Sequence, residues 1–260
     1  MGPAEALAIL GVGAAAGAVN AIVGSGSLIT FPTLLAFGFP AVVANVSNSV
    51  GLVPGNFTGA IGYREELTGQ RNRLARLGVV SAAGSAAGAA ALLLLPSASF
   101  RVIVPVLILI ACALVLVQPW LGRRIVARRN RGAAADGGDD ERERISPVLG
   151  AGVLTSAAYG GYFGAAQGVL VIGLLGTFFD ESLQRANAAK NVLVGIVNGV
   201  AALIFVVFAH VNWLVVVLIA VGSSLGGVAG ARFGRQLPPV ALRIFVVLIG
   251  VISAVKLIFF

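Results

Sequence analysis

Runs of about 20 apolar residues recur from one end of this chain to the other, and that repetition constrains the fold more than any single motif. Twenty residues of α-helix are about 30 Å long, the thickness of the hydrocarbon core of a bilayer. Charged residues make up 11% of the 260 positions, whereas a soluble domain carries roughly 25%. The chain is therefore read as an all-α polytopic membrane protein. Its net charge of +8 points to the lipid bilayer rather than nucleic acid, because the arginines fall in a few short loops as the positive-inside bias expects. Cys112 stands alone in an apolar run, which leaves neither a disulfide framework nor a metal cluster to expect, and no cofactor is implied. The opening MGPAEALAIL has Glu5 and no Lys or Arg, so it reads as a retained first span rather than a signal peptide.

The apolar segments run from about Pro3 to Phe39, Pro40 to Tyr63, Leu74 to Leu95 and Phe100 to Leu121. A basic-then-acidic, Gly/Ala-rich stretch follows and reads as a solvated cytoplasmic linker over 123–145. Four more segments come after it: Ser146 to Phe179, Ser182 to Ala209, Val211 to Ala231 and Pro239 to Phe260. The two sets match. One constant offset carries Asn45 onto Asn187, Asn48 onto Lys190, Ser49 onto Asn191, Asn56 onto Asn198, Gly84 onto Gly226, Gly88 onto Gly230, Pro96 onto Pro238 and Arg101 onto Arg243. An offset shorter by two carries Gly24 onto Gly164 and Ser27 onto Gln167. The chain is thus expected to hold two transmembrane repeats, 1–122 and 146–260, a common transporter plan.

The first segment of each repeat exceeds 30 residues, about 50 Å if it were one helix. Each must be broken, either into two crossings or into one crossing and a re-entrant piece. With two crossings, the loop bearing Arg64, Arg71, Arg73 and Arg76, the linker near Arg128 and the loop near Arg235 all fall inside, while FAHVNWLV and the C-terminal Phe260 fall outside. Five crossings per repeat is an odd number, so the second repeat would be inverted. The alternative is four plus four.

Several polar residues lie inside these spans. Gly24, Ser25, Gly26 and Ser27 stand where the first segment has to bend, and Gly164 with Gln167 stands at the matching place. Backbone groups freed at such a bend must line a cavity or be buried in protein, and the start of the next half-helix is a ready anion site. At 100° per residue, Asn45, Ser49 and Asn56 fall within about 40° on one helix face, with Asn48 on its shoulder. Asn187, Asn191 and Asn198 repeat the stripe, with Lys190 on the shoulder. Such stripes face the bundle interior, as part of a substrate path or as interhelical hydrogen-bonding glue. Lys190 is the one charge well inside a span, roughly 10 Å from its start. It either snorkels to the interface or needs a counter-charge, and every Asp and Glu sits at a segment end or in a loop. A small anion could supply that charge. Lys256 lies near the chain end, where snorkelling is natural. Gly84 and Gly88, with Gly222, Gly226 and Gly230, give small-residue faces for tight helix packing. Trp120 and Trp213 fall near span ends, as interface anchors do.

In AGAVNAIVGSGSLITFPTLLAFGFPAVVANVSNSV and GYFGAAQGVLVIGLLGTFFDESLQRANAAKNVLVGIVNG the chain resembles the sulfite exporter TauE/SafE family of membrane permeases. The resemblance implies transport, often export, of small sulfur-containing anions such as sulfite, thiosulfate or sulfonates, by a multi-pass protein of the cell membrane. The residues expected at the substrate are Lys190, Asn187, Asn191, Asn198, Asn45, Asn48, Ser49, Asn56, Gly24, Ser25, Ser27, Gly164 and Gln167. An anion-selective channel would carry the same residues, and a structural protein would not need two matched stripes. An intramembrane hydrolase would need Ser25 or Ser27 against His210, which lies at a span end. Without a carboxylate deep in a span, a conventional proton relay is not expected, and facilitated export or cotransport of a proton on a weakly acidic anion fits better.

Overall fold

The structure, a computed structural model, describes residues 1–132, 146–179, 181–233 and 239–259, and among these it contains α-helices and no strand. In chain order the helices are α1 (Pro3–Ile22), α2 (Ser27–Ala36), α3 (Ala41–Gly62), α4 (Arg71–Leu94), α5 (Ser97–Gly132), α6 (Pro147–Tyr162), α7 (Gln167–Phe178), α8 (Leu183–Phe208), α9 (Trp213–Phe233) and α10 (Pro239–Phe259), with a 3-10 turn at Arg64–Leu67. Five of them, α1, α4, α5, α8 and α9, are long and apolar enough to cross a membrane. α3 has the length, 22 residues, but buries Asn45, Ser47, Asn48, Ser49 and Asn56.

Each helix start has a local cause. Pro147 and Pro3 occupy first-turn positions, where a missing N–H is not needed. Ser146 and Ser182 accept from the backbone N–H groups of Val148 and Arg185 at 3.3 Å, capping α6 and α8. α5 runs on to Gly132, into the stretch expected to be linker. Good helix formers dominate RRIVARRNR, and no proline or glycine stops it before Gly132. The rest of the linker, the loop near Arg235 and Phe260 lie outside the described residues.

Both long first segments are broken, and in the same way. Val23 and Gly24 both donate backbone N–H bonds to the Val19 carbonyl, at 2.7 and 3.1 Å; Phe163 and Gly164 do the same to Tyr159, at 2.9 and 3.2 Å. Gly24 (φ 82°) and Gly164 (φ 74°) take the left-handed conformation that ends each helix. α2 then doubles back along α1, with Gly26 against the Ala16 carbonyl and Leu34 level with Ile9.

Small residues fix how the helices pair. Gly13 and Gly17 of α1 lie against Ile219 and Ser223 of α9, and Gly51 and Gly55 of α3 meet the same two residues. Rising numbers meet rising numbers, so α1, α3 and α9 run in one direction. Gly84 and Gly88 of α4 meet Leu154 and Ala158 of α6 in the same rising order. α8 runs with α4, since Gln70 faces Arg185 and Ser85 donates to the Val197 carbonyl at 2.6 Å. The expected glycine faces do this work: Gly222, Gly226 and Gly230 lie on the Leu10, Ala14 and Ala18 backbone. α4 of the first half packs on α6 of the second and α9 of the second on α1 of the first, while α3 packs against α8 and α5 against α10. The outer surface is apolar, with Leu94, Val102, Leu203 and Phe208 exposed and Trp120 and Trp213 among them. That is the surface a hydrocarbon solvent requires.

Candidate functional site

The two breaks leave carbonyls with no partner inside their own helices, because a helix end frees its last turn of C=O groups. At membrane depth those groups must be satisfied by protein. The polar stripes do so across the halves. Asn187 Nδ2 donates to the Ala21 carbonyl at 3.2 Å and Asn191 Nδ2 to the same oxygen at 3.4 Å. Asn45, the counterpart of Asn187, donates to the Tyr162 carbonyl at 3.0 Å. Each stripe thus ties down the broken first helix of the opposite half.

Lys190 belongs to this arrangement. It is 1% exposed, so it does not snorkel. Its Nζ donates to the Asn20 carbonyl at 3.0 Å and the Ala21 carbonyl at 3.4 Å. The C-terminal end of a helix carries about half a negative charge, which favours a cation there. Main-chain carbonyls therefore supply the partner that the sequence did not reveal, but they are dipoles and bring no formal counter-charge. Among the described residues the carboxylates Glu181, Glu65, Glu66 and Glu5 lie elsewhere, with Glu181 paired to Arg73 at 2.8 Å.

The remaining expected residues gather round the breaks. Asn56 Oδ1 accepts from Asn20 Nδ2 at 2.5 Å, and Gly26 donates its N–H to Asn20 Oδ1 at 3.3 Å. Asn48 Oδ1 accepts a hydrogen bond from the Thr30 hydroxyl. Asn198 is buried with Oδ1 beside Gly164, and Ser49 is buried on the Asn45 face. Ser25 is buried and Ser27, the first residue of α2, half-buried. The Gly24 bend touches α7, where a Cβ on Gly24 would stand 2.6 Å from Gly168 Cα, and Lys190 runs past that same glycine. His210, by contrast, is exposed in the turn between α8 and α9.

Asn20 and Thr30 were not legible as site residues. Asn20 has Gly160 at its matching position, so the repeat gives no signal. The structure explains the mismatch. In the second half Gln167 lies over Gly160, where a Cβ would come within 2.3 Å of the Gln167 amide; in the first half Ser27 is small and Asn20 holds the polar group. An amide thus sits at each break but comes from a different helix. Several buried polar atoms here have no hydrogen-bond partner among the described residues: both amide atoms of Gln167, Nδ2 of Asn48 and Asn56, Oδ1 of Asn45 and Asn187, and the Ser25 hydroxyl. Buried polar groups are normally paired, so this concentration marks a place suited to a polar ligand.

Comparison with known proteins agrees with the architecture. The family described as Sulfite exporter TauE/SafE matches residues 9–257, and the chain belongs to that family. It is 26% identical over 251 residues to a Haemophilus influenzae protein named "Probable membrane transporter protein", covering 95% of this chain and 92% of that one. It is 24% identical over 248 residues to "Probable membrane transporter protein YfcA" of Escherichia coli K12, covering 94% and 86%. A Sinorhizobium protein, "Probable membrane transporter protein ORF9", is 26% identical over 245 residues, covering 93% and 88%. No solved structure matches the chain. The protein is a multi-pass membrane transporter of this family.

Proposed function

We propose that this transporter exports a small anion, sulfite or another sulfur-containing oxyanion or sulfonate, across the cell's plasma membrane along a path between two inverted repeats, 1–122 and 146–260, joined by a cytoplasmic linker at 123–145. The observation that carries this reading is Lys190, a cation buried among amides and carbonyls with no described carboxylate beside it. An uncompensated buried charge is costly, and a passing anion would relieve it. Asn187, Asn191, Asn56, Asn198, Gln167, Ser25, Ser27, Asn45, Asn48 and Ser49, with the glycine bends at Gly24 and Gly164, would supply hydrogen bonds and room.

Helix direction supports the inversion. α1 and α3 run together, while their counterparts α6 and α8 run with α4, which returns from α3 through the short turn at Arg64–Leu67. Charge supports the same orientation. Arg64, Arg71, Arg73, Arg76, Arg185, Arg232 and Arg243 lie at the end where α3 and α9 finish, and Arg101 and Lys256 at the other. By the positive-inside bias the first end is cytoplasmic.

The test is uptake and efflux by the purified protein in proteoliposomes with sulfite, thiosulfate, methanesulfonate, sulfate and chloride. Saturable, counter-exchanging flux of the sulfur anions is expected. Non-saturating flux that does not distinguish chloride would make the protein a channel, and no flux of any anion would end the reading.

A further inference from the structure

Lys190 and Asn48 occupy matching positions in the two repeats, and so do Asn187 and Asn45, each of which donates to a carbonyl near the end of the broken first helix of the opposite half. α3 and α8 run in opposite directions, with Asn56 against Gly195 where they cross. Lys190 and Asn48 therefore lie on opposite sides of that crossing, each about 7–12 Å away by helix rise. The surroundings of Asn48 are those of a polar site. It is 0% exposed, its Oδ1 accepts from Thr30, and its Nδ2 has no partner among the described residues. Thr30 also lies beside Ile9, Val12, Thr33, Leu34 and Ile219, where α2 packs on α1 and α9. These residues lie on the far side of Lys190, toward the end where α1 and α3 begin.

We propose that Asn48 and Thr30 form a second, uncharged station for the same anion, reached from the external face, and that the single lysine makes the cytoplasmic station the tighter one. The inference rests on the anion reading given above and extends it to sidedness. At Lys190 the anion gains a charge-assisted contact; at Asn48 it has amide and hydroxyl donors alone. A charge-assisted hydrogen bond exceeds a neutral one by enough to shift affinity about tenfold. A carrier built this way captures its substrate at low concentration inside and releases it readily outside. The Thr30 hydroxyl can turn from Asn48 to the anion, because a hydroxyl proton rotates freely.

The experiment compares half-saturation from each face, using inside-out and right-side-out vesicles that hold the full-length protein. Labelled sulfite, thiosulfate and methanesulfonate are tried in turn. The wild type should half-saturate about tenfold lower from the cytoplasmic face. Lys190→Asn should remove most of that difference, and Lys190→Asn combined with Asn48→Lys should reverse it. Should the double variant fail to fold, Thr30→Val serves in its place. It should raise half-saturation from the external face more than from the cytoplasmic one. Equal half-saturation on both faces of the wild type, or a double variant that folds and keeps the original sidedness, overturns the second station. So does a Thr30→Val effect confined to the cytoplasmic face. Wild-type affinity in Lys190→Asn from both faces, or no saturable flux in the wild type, overturns the anion reading beneath it instead.

Discussion

Lys190 Nζ lies 3.0 Å from the carbonyl oxygen of Asn20, so a buried lysine of α8 caps the broken helix α1. The same side chain therefore holds two halves together and carries a charge that no described carboxylate balances. Those two roles can be separated, because a neutral donor can keep the hydrogen bond without the charge.

Lys190→Gln makes that separation. The amide retains an N–H for the Asn20 carbonyl, so the fold should survive with a small loss of thermal stability. Anion half-saturation should rise about tenfold or more, since a charge-assisted contact contributes roughly 1.5–3 kcal/mol. Lys190→Arg should restore only part of it, because a planar guanidinium is larger than the ammonium that sits on the Asn20 and Ala21 carbonyls. Lys256→Gln, at an exposed position near the chain end, is the control and should change little. Unaltered affinity in Lys190→Gln would show that the lysine is a structural cap and no more.

The bend at Gly24 makes a sharper structural prediction. Gly24→Ala places a Cβ 2.6 Å from Gly168 Cα and forces alanine to φ 82°. The backbone strain alone costs about 1–3 kcal/mol, and the contact with main chain cannot be relieved by a rotamer change. Melting in detergent should fall by several degrees or expression should collapse. Gly199→Ala is the opposite case: its Cβ meets nothing within 4 Å and it sits inside α8. It should stabilise by about 0.5–1 kcal/mol.

How much of this was readable beforehand follows from what a sequence writes down. Span positions were legible because hydrocarbon demands apolar length, and both breaks because Gly24 and Gly164 fall in segments too long for one helix. The stripes were legible as inward-facing because Asn45, Ser49 and Asn56 repeat at helical spacing. Their immediate partners were not. Asn187, Asn191 and Lys190 bond to main-chain carbonyls, and a backbone acceptor has no letter of its own. Asn20 escaped notice for a related reason: its amide is replaced in the second half by Gln167, from a different helix, so matching positions hide the equivalence. The run of α5 to Gly132 is not legible as helix because dense charge suits a solvated linker as well, although arginine and alanine favour helix.

The direction of the helices predicts which turns face which compartment. Cysteine placed at Glu65, in the turn between α3 and α4, should be labelled by a membrane-impermeant maleimide from the cytoplasmic face only. His210→Cys, in the turn between α8 and α9, should be labelled from the external face only. The native Cys112 is buried and should stay silent in folded protein. Labelling of both positions from one face would contradict the five-plus-five arrangement.

Asn20 offers the closest probe of charge at the break. Its own carbonyl receives Lys190, its Oδ1 accepts from Gly26 and its Nδ2 donates to Asn56. Asn20→Asp is nearly isosteric and keeps the acceptor for Gly26. It loses the donor to Asn56, a cost of about 1 kcal/mol for a hydrogen bond, and gains a carboxylate on the residue that already touches Lys190. An internal ion pair should form, and the anion would then have to displace it. Transport half-saturation should rise at least tenfold while melting stays near that of the wild type, the new ion pair offsetting the lost hydrogen bond. Asn20→Ala separates the effects: it removes both side-chain bonds without adding charge, so it should lower the melting temperature and shift half-saturation much less than Asp does. If Asp and Ala reduce affinity equally, the Asn20 amide matters for shape alone, and the charge at Lys190 is not what holds the anion.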